Sequence, residues 1–237
     1  KSPLSNGEIL ADEVGLGKTI EAGILLAQNW VEGKRKLLII CPSNLRKQWQ
    51  QELEDKFFLP SMILEARSFK KALENGNTNP FDSNKIIIAS FHFVRNKANY
   101  VQWLNWDLVT IDEAHRLRNV YRPSNVIGNA IKLATKHCKK VLLTATPLQN
   151  SLLELYGLVS LIDEHTFGDL KSFKRQFTRT QSIDFSTLRN RIAPICNRTL
   201  RRQVQEYIRY TNRIPLHSID TVCLFLLFEQ HQGGFQT

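Results

Sequence analysis

Short unbroken apolar runs, each halted by a polar segment and followed by residues at helical spacing, constrain the fold of this chain most. Leu37-Leu38-Ile39-Ile40-Cys41 is the clearest, with the pattern of a strand buried on both faces. Pro42-Ser43 then opens a helix with Ser43 placed to cap it, and Leu45, Trp49, Leu53 and Phe57 fall four apart on one apolar face. Further strands are predicted at Met62–Ala66, Lys85–Ser90, Asp107–Ile111 and Lys140–Ala145. Helices are predicted at Lys18–Glu32, Ser124–Lys136 and Ser151–Ile162, and Asn75-Gly76-Asn77-Thr78-Asn79-Pro80 reads as a loop. This alternation predicts an α/β fold, a mostly parallel sheet with helices on both faces. In such sheets ligands bind beyond the carboxyl ends of the strands.

Three segments fall at such ends. Asp12-Glu13-Val14-Gly15-Leu16-Gly17-Lys18-Thr19 precedes a helix. The strict phosphate-loop pattern G-x-x-x-x-G-K-S/T is not met, because its first glycine position is Asp12. Gly15-Leu16-Gly17-Lys18-Thr19 still supplies what phosphate binding needs: glycines that turn successive N–H groups one way, a compact cation at Lys18, and a hydroxyl at Thr19 that can ligate Mg²⁺. Asp112-Glu113-Ala114-His115 follows an apolar strand. A carboxylate there can meet Mg²⁺ while its neighbour orients or deprotonates water. His115 reads as a contact toward the γ-phosphate side or the third segment. That third segment, Thr144-Ala145-Thr146-Pro147-Leu148-Gln149-Asn150, has small hydroxyl residues able to hydrogen-bond the 112–115 loop. Taken singly, each has a plainer reading: a glycine-rich turn, a charged turn after a strand, a threonine-rich strand end stopped by proline. Their order and spacing favour the chemical reading.

The charge is unevenly placed. Residues 171–213 hold 11 Lys/Arg against 2 Asp/Glu, while the remainder holds 21 against 20 within a net charge of +10. After about Phe167 the strand–helix alternation stops, and short helical stretches carry Phe173, Phe177, Phe185 and Leu188 among these basic residues. Such a block suits a polyanion through counterion release, and it equally suits a solvated helical face.

The four cysteines, Cys41, Cys138, Cys196 and Cys223, form no C-x-x-C pair, which argues against zinc and for reduced thiols in a cytoplasmic protein. No apolar run approaches the ~20 residues of a membrane span, and Lys1 opens the sequence without a charged-then-apolar leader. The chain also starts without Met, so residues are expected upstream.

Read together, the segments resemble the helicase superfamily 2, and within it the Swi/Snf-type ATPases of the bacterial, RapA-like branch. Asp12–Thr19 is similar to that group's motif I, in which Asp replaces the first glycine. Cys41-Pro42-Ser43-Asn44-Leu45 with Gln48-Trp49 resembles motif Ia, Ser90-Phe91-His92 motif Ib, Asp112–His115 motif II and Leu143–Asn150 motif III. Leu153–Leu158 and Arg198-Thr199-Leu200-Arg201-Arg202 also look like this group, so the resemblance runs from about Gly7 to Arg213.

The resemblance implies a RecA-like lobe that binds ATP and Mg²⁺ and drives translocation along double-stranded DNA, usually without separating the strands. It implies Lys18 and Glu113 in catalysis, Gly15, Leu16, Gly17, Lys18 and Thr19 on the nucleotide, and Thr19 and Asp112 on the metal. Coupling would fall to His115, Thr144, Thr146 and Gln149, and nucleic-acid contact to Ser43, Asn44, Lys47, Ser90, Arg201 and Arg202, with Arg46 adding charge. The expected organisation is a RecA-like lobe at 1–166, a basic helical accessory segment at 167–213 and an atypical tail at 214–237. The expected partners are duplex DNA, a second RecA-like lobe that supplies an arginine finger, and RNA polymerase or another bacterial complex.

Two departures stand beside these implications. The segment before Gly7 is too short for the family's adenine-reading motif, and 216–237 does not read as the start of a second lobe. The expectation is therefore a fragment, or a chain whose reading frame changes after about Pro215, and a lobe feeble by itself. A module that binds nucleotide and DNA without turnover, and an RNA-directed lobe of the same superfamily, stay open. A generic P-loop kinase leaves motifs II and III unexplained.

Overall fold

The computed structural model describes residues 6–13, 15–148, 150–178 and 185–199. Its elements run β1 (Gly7–Leu10), α1 (Lys18–Val31), β2 (Leu37–Cys41), α2 (Arg46–Phe57), β3 (Ser61–Ile63), α3 (Ala66–Glu74), β4 (Ile86–Ser90), α4 (Phe91–Asn96), α5 (Ala98–Gln102) and β5 (Leu108–Ile111). They continue α6 (Val126–Ala134), β6 (Lys140–Leu143), α7 (Leu152–Ile162), α8 (Leu170–Phe177), α9 (Phe185–Ile192) and β7 (Cys196–Asn197). The strands form one seven-stranded sheet in the order β3-β4-β2-β5-β6-β1-β7. Every pairing in it is parallel.

The continuous apolar runs are explained by burial on both faces. In β2, Leu38 and Ile40 enter one core while Leu37, Ile39 and Cys41 enter the other. In β4, Ile87 and Ala89 take the first side, and Ile86 and Ile88 the second. The two-residue period of a strand is therefore present but masked, because each face meets helices. One core receives Phe93 and Val94 of α4, Ile131 of α6 and Leu158 of α7; the other receives Leu26 of α1 with Trp49 and Leu53 of α2. Full burial of each such side chain contributes about 1.5–3 kcal/mol.

Several expectations shift. Ser43 does not cap α2: Ser43–Leu45 form a tight 3-10 turn, and Leu45 occupies the cap position without a side-chain bond. The strand expected at Met62–Ala66 stops at Ile63, because Glu65 and Ser68 form a capping box that starts α3. The sheet also resumes after the helices: β7 pairs with β1, matching Ile9 to Cys196 and Leu10 to Asn197. Phe173 and Phe177 of α8 are fully buried in the same core as β1, their rings 5.1 Å apart. Among the described residues, no helix is long and apolar enough to cross a membrane.

Candidate functional site

The carboxyl ends of β1, β2, β4, β5 and β6 lie along one edge of the sheet, and they deliver motifs I, Ia, Ib, II and III in that order. The chain after β1 turns into α1 through two glycines in left-handed backbone, Gly15 at φ 83° and Gly17 at φ 90°. Gly17 is the N-cap of α1, so Lys18 and Thr19 form its first turn, where free N–H groups and the helix dipole favour an anion. Side chains at φ values this positive are strained, which explains the glycines.

Lys18 Nζ donates to the main-chain oxygens of Asp12, at 2.7 Å, and Glu13, at 3.1 Å. Burial pulls its pKa below the usual lysine value, while the charges of Asp12, Glu113 and Asp112 act to raise it. The P-loop cation thus already lies in the field of motif II. Asp12 itself is 4% exposed. Its carboxylate accepts the backbone N–H of Thr199, which follows β7, and Glu13 N–H donates to the Thr199 carbonyl at 3.3 Å.

Asp112 leaves the end of β5 with its N–H bonded to the Ile40 carbonyl at 2.8 Å. Each of its carboxylate oxygens takes one donor, the Glu113 N–H on Oδ1 and the Trp49 indole N–H on Oδ2, both at 2.8 Å. Burial raises its pKa, with the Trp49 and Glu113 hydrogen bonds and the Lys18 charge opposing that and the Glu113 charge adding to it. Each oxygen retains a lone pair for a hard cation. With the Thr19 hydroxyl in the first turn of α1, this oxygen-only donor set fits Mg²⁺.

Glu113 takes a left-handed backbone, φ 52° and ψ 44°, an uncommon conformation for a residue with a Cβ. It turns the chain into the 3-10 segment Ala114–Leu117. His115 Nδ1 lies 3.1 Å from Glu113 Oε2, within ion-pair reach, although the two are not aligned as a hydrogen bond. Cys41, beside Asp112, is inert by contrast: burial pushes its thiol up to about 12.

Motif III meets motif II by a route different from the expected one. The Thr144 hydroxyl accepts the Thr146 N–H at 3.2 Å, and the Thr144 N–H bonds to Leu10 of β1 at 3.0 Å. Among the described residues no hydrogen bond joins either threonine to the 112–115 loop. The link runs instead through Glu154 of α7, which is 5% exposed. Its carboxylate accepts from Asn150 N at 3.1 Å and Nδ2 at 3.2 Å, and it pairs with Arg118 Nε at 3.4 Å, just past the motif II turn. Gln149 lies outside the described residues, as do Arg201 and Arg202.

Ser43, Asn44 and Lys47 are exposed where β2 runs into α2. Arg46 is committed to Glu65, 3.1 Å away. Ser90, expected to touch nucleic acid, is instead 7% exposed and spends its hydroxyl capping α4 through the Phe93 N–H. The exposed side chain of motif Ib is His92.

A family model described as the SNF2-related domain matches residues 3–233. The chain belongs to the SNF2-related domain family. This SNF2-related chain is 36% identical over 182 residues to the "Uncharacterized ATP-dependent helicase YqhH" of Bacillus subtilis, covering 75% of this chain and 30% of that protein. It is 36% identical over 200 residues to the "RNA polymerase-associated protein RapA" of Actinobacillus pleuropneumoniae serotype 3, covering 80% of this chain and 20% of the relative. The "Sulfolobus solfataricus SWI2/SNF2 ATPase core in complex with dsDNA" superimposes with TM-score 0.67 at 24% identity, over 82% of this chain and 40% of that one. That likeness shows the fold, which is the RecA-like lobe of a SWI2/SNF2 core. The SNF2-related chain thus spans between a fifth and a third of the length of these curated relatives.

Sequence reasoning missed Trp49, Glu154 and Arg118 as site residues. Trp49 reads in sequence as one of four apolar residues on a helix face and as part of the motif Ia resemblance, with no tie to Asp112, and Glu154 only as part of a family-like segment. A contact across the fold leaves no local pattern to find.

Proposed function

We propose that this lobe binds ATP with Mg²⁺ and forms half of the motor of a DNA-dependent ATPase that translocates along duplex DNA. The observation that carries the reading is that the charges of both Asp112 and Glu113 reach Lys18, which supports motifs I and II acting as one site. The N–H groups at the start of α1 and the Lys18 ammonium take the phosphates, at the cost of the two Lys18 bonds to Asp12 and Glu13. Thr19 and Asp112 would hold Mg²⁺, which neutralises charge developing on the phosphates. Glu113 orients and deprotonates the attacking water, with His115 beside it. Asn150, Glu154 and Arg118 link motif III to the motif II turn.

Completion of the reaction needs a further cation on the γ-phosphate, and a second RecA-like lobe is proposed as its source. In this reading Ser43, Asn44 and Lys47 contact one strand's phosphates. The lobe extends past 166 in this reading, since α8 packs in its core and β7 joins its sheet, the basic residues of 167–213 with Arg201 and Arg202 belong to it, and 214–237 is a tail of separate character. Duplex DNA as partner is supported by the DNA-bound SWI2/SNF2 core, and RNA polymerase by the RapA relatives. A cytoplasmic location goes with such partners.

The test is ATP hydrolysis by a protein that joins this lobe to a second one, with duplex DNA, single-stranded DNA and RNA as arms. Duplex DNA is expected to raise turnover most, and Lys18→Ala to abolish it. No stimulation by any duplex would overturn the translocase reading, and a preference for RNA would replace it with an RNA-directed one.

A further inference from the structure

Helix α2 touches two regions that the proposed function treats separately. The 3-10 turn before it carries the exposed Ser43 and Asn44, its first turn carries the exposed Lys47, and about half a turn beyond Lys47 is Trp49, only 2% exposed. The Trp49 indole N–H donates to Asp112 Oδ2 at 2.8 Å, a charge-assisted bond between α2 and the end of β5. The ring is buried in the core that also holds Leu26 and Leu143. An indole has a single donor and no acceptor, so this ring holds one acceptor at a time, and here that acceptor is Asp112. The remaining oxygen of Asp112 is held by the Glu113 N–H, so the carboxylate is gripped on one side by its own turn and on the other by α2. Apolar packing alone would be served by phenylalanine; the indole nitrogen is the part that packing does not explain.

We infer that Trp49 is a positioning residue that ties the orientation of the Asp112 carboxylate to helix α2, so that duplex bound at Ser43–Lys47 changes divalent-cation binding at Asp112. The inference rests on the reading of Asp112 as the Mg²⁺ ligand and of 43–47 as the duplex-facing end. Groups that hold a metal ligand from behind typically alter metal affinity by about 10–100-fold when removed. By linkage, a duplex that changes cation affinity must be bound differently once the cation is present.

The test uses the whole chain with ADP, Mn²⁺ followed by electron paramagnetic resonance, and a short duplex. Wild type is expected to bind Mn²⁺ with an affinity that duplex shifts by about threefold or more, within the ordinary range of coupling between sites. Trp49→Phe is expected to weaken Mn²⁺ binding about tenfold or more and to erase the duplex response. Leu53→Ala, which removes packing from the same helix, is expected to leave both unchanged. Trp49→Phe behaving as wild type, or Leu53→Ala reproducing its losses, would overturn the inference. Should Trp49→Phe fail to fold, the indole N–H resonance of Trp49 in the wild-type protein decides: it must move when Mg²⁺·ADP is added and again when duplex is added, and an unmoved signal overturns the linkage. Wild-type-like Mn²⁺ binding by Asp112→Asn would instead overturn the metal-site reading itself.

Discussion

The carboxylate of Asp12 accepts the backbone N–H of Thr199, a residue 187 positions later in the chain. Asp12 stands where a general phosphate loop has its first glycine, and a glycine would have nothing to offer that N–H. The family's departure from the general pattern therefore has a structural use: it fastens the loop after β1 to the chain leaving β7. Asp12→Ala is expected to destabilise the protein by about 1–3 kcal/mol, because a polar contact at a residue only 4% exposed loses its acceptor. Asp12→Asn keeps an acceptor oxygen and is expected to cost less than half of that. Urea denaturation of both variants measures the difference; equal losses would contradict this role.

Gly157 of α7 is required by close approach. A Cβ built on it falls 1.9 Å from the Arg118 carbonyl oxygen, so α7 and the chain after motif II touch backbone to backbone. Gly157→Ala is expected to push them apart at a cost of about 1–3 kcal/mol, the usual penalty for overpacking. The Arg118–Glu154 pair would lengthen with it. Chemical denaturation gives the energy, and a crystal structure of the variant gives the displacement; a stability within ~0.5 kcal/mol of wild type would count against the packing described.

Cys41 provides the pH dependence. Its folded thiol ionises at about 12, raised by burial and then by the Asp112 charge, against an unfolded value near 9. Between these values the unfolded chain has lost the proton that the folded chain keeps. The folded state then binds more protons, so stability falls as pH rises, by roughly 1.4 kcal/mol per unit in that window. Cys41→Ala is expected to be less stable than wild type at pH 8, and to close the gap by about 1 kcal/mol between pH 9 and 10. A gap independent of pH would show that the thiol ionises normally. The native thiol is likewise expected to resist alkylation at pH 8.

Much of this fold was legible because strands buried on both faces leave continuous apolar runs, as at Leu37–Cys41, and the observed β2 has those same bounds. β1 and β7 were not legible. β1 has four residues, Gly7–Leu10, and β7 has two, Cys196–Asn197, too few to display a period. They join the sheet through pairing with strands distant in sequence, which local pattern does not encode. The site divides the same way. The glycines, Lys18, Asp112 and Glu113 stand out in the sequence because the proposed phosphate and metal chemistry calls for particular residues at fixed spacing. Ser90 misled because a serine at a strand end serves equally as a helix cap, and the N–H of Phe93 claims it. Thr144 misled because its hydroxyl turns back to its own loop. Trp49 and Glu154 act through partners 63 and 36 residues away respectively, a separation at which sequence gives only apolar spacing and an isolated acid.

The account depends on motifs I and II forming one ATP–Mg²⁺ site on this lobe. Calorimetric titration of ATP into the chain, with and without Mg²⁺, compared for wild type and Lys18→Ala, tests that most directly. Lys18 lies at the start of α1 within the field of Asp112 and Glu113. Wild type is expected to bind ATP more tightly with Mg²⁺ than without. Lys18→Ala is expected to weaken that binding about tenfold or more, a loss of about 1.4 kcal/mol. Equal binding by the variant, or wild-type binding indifferent to Mg²⁺, would contradict the account.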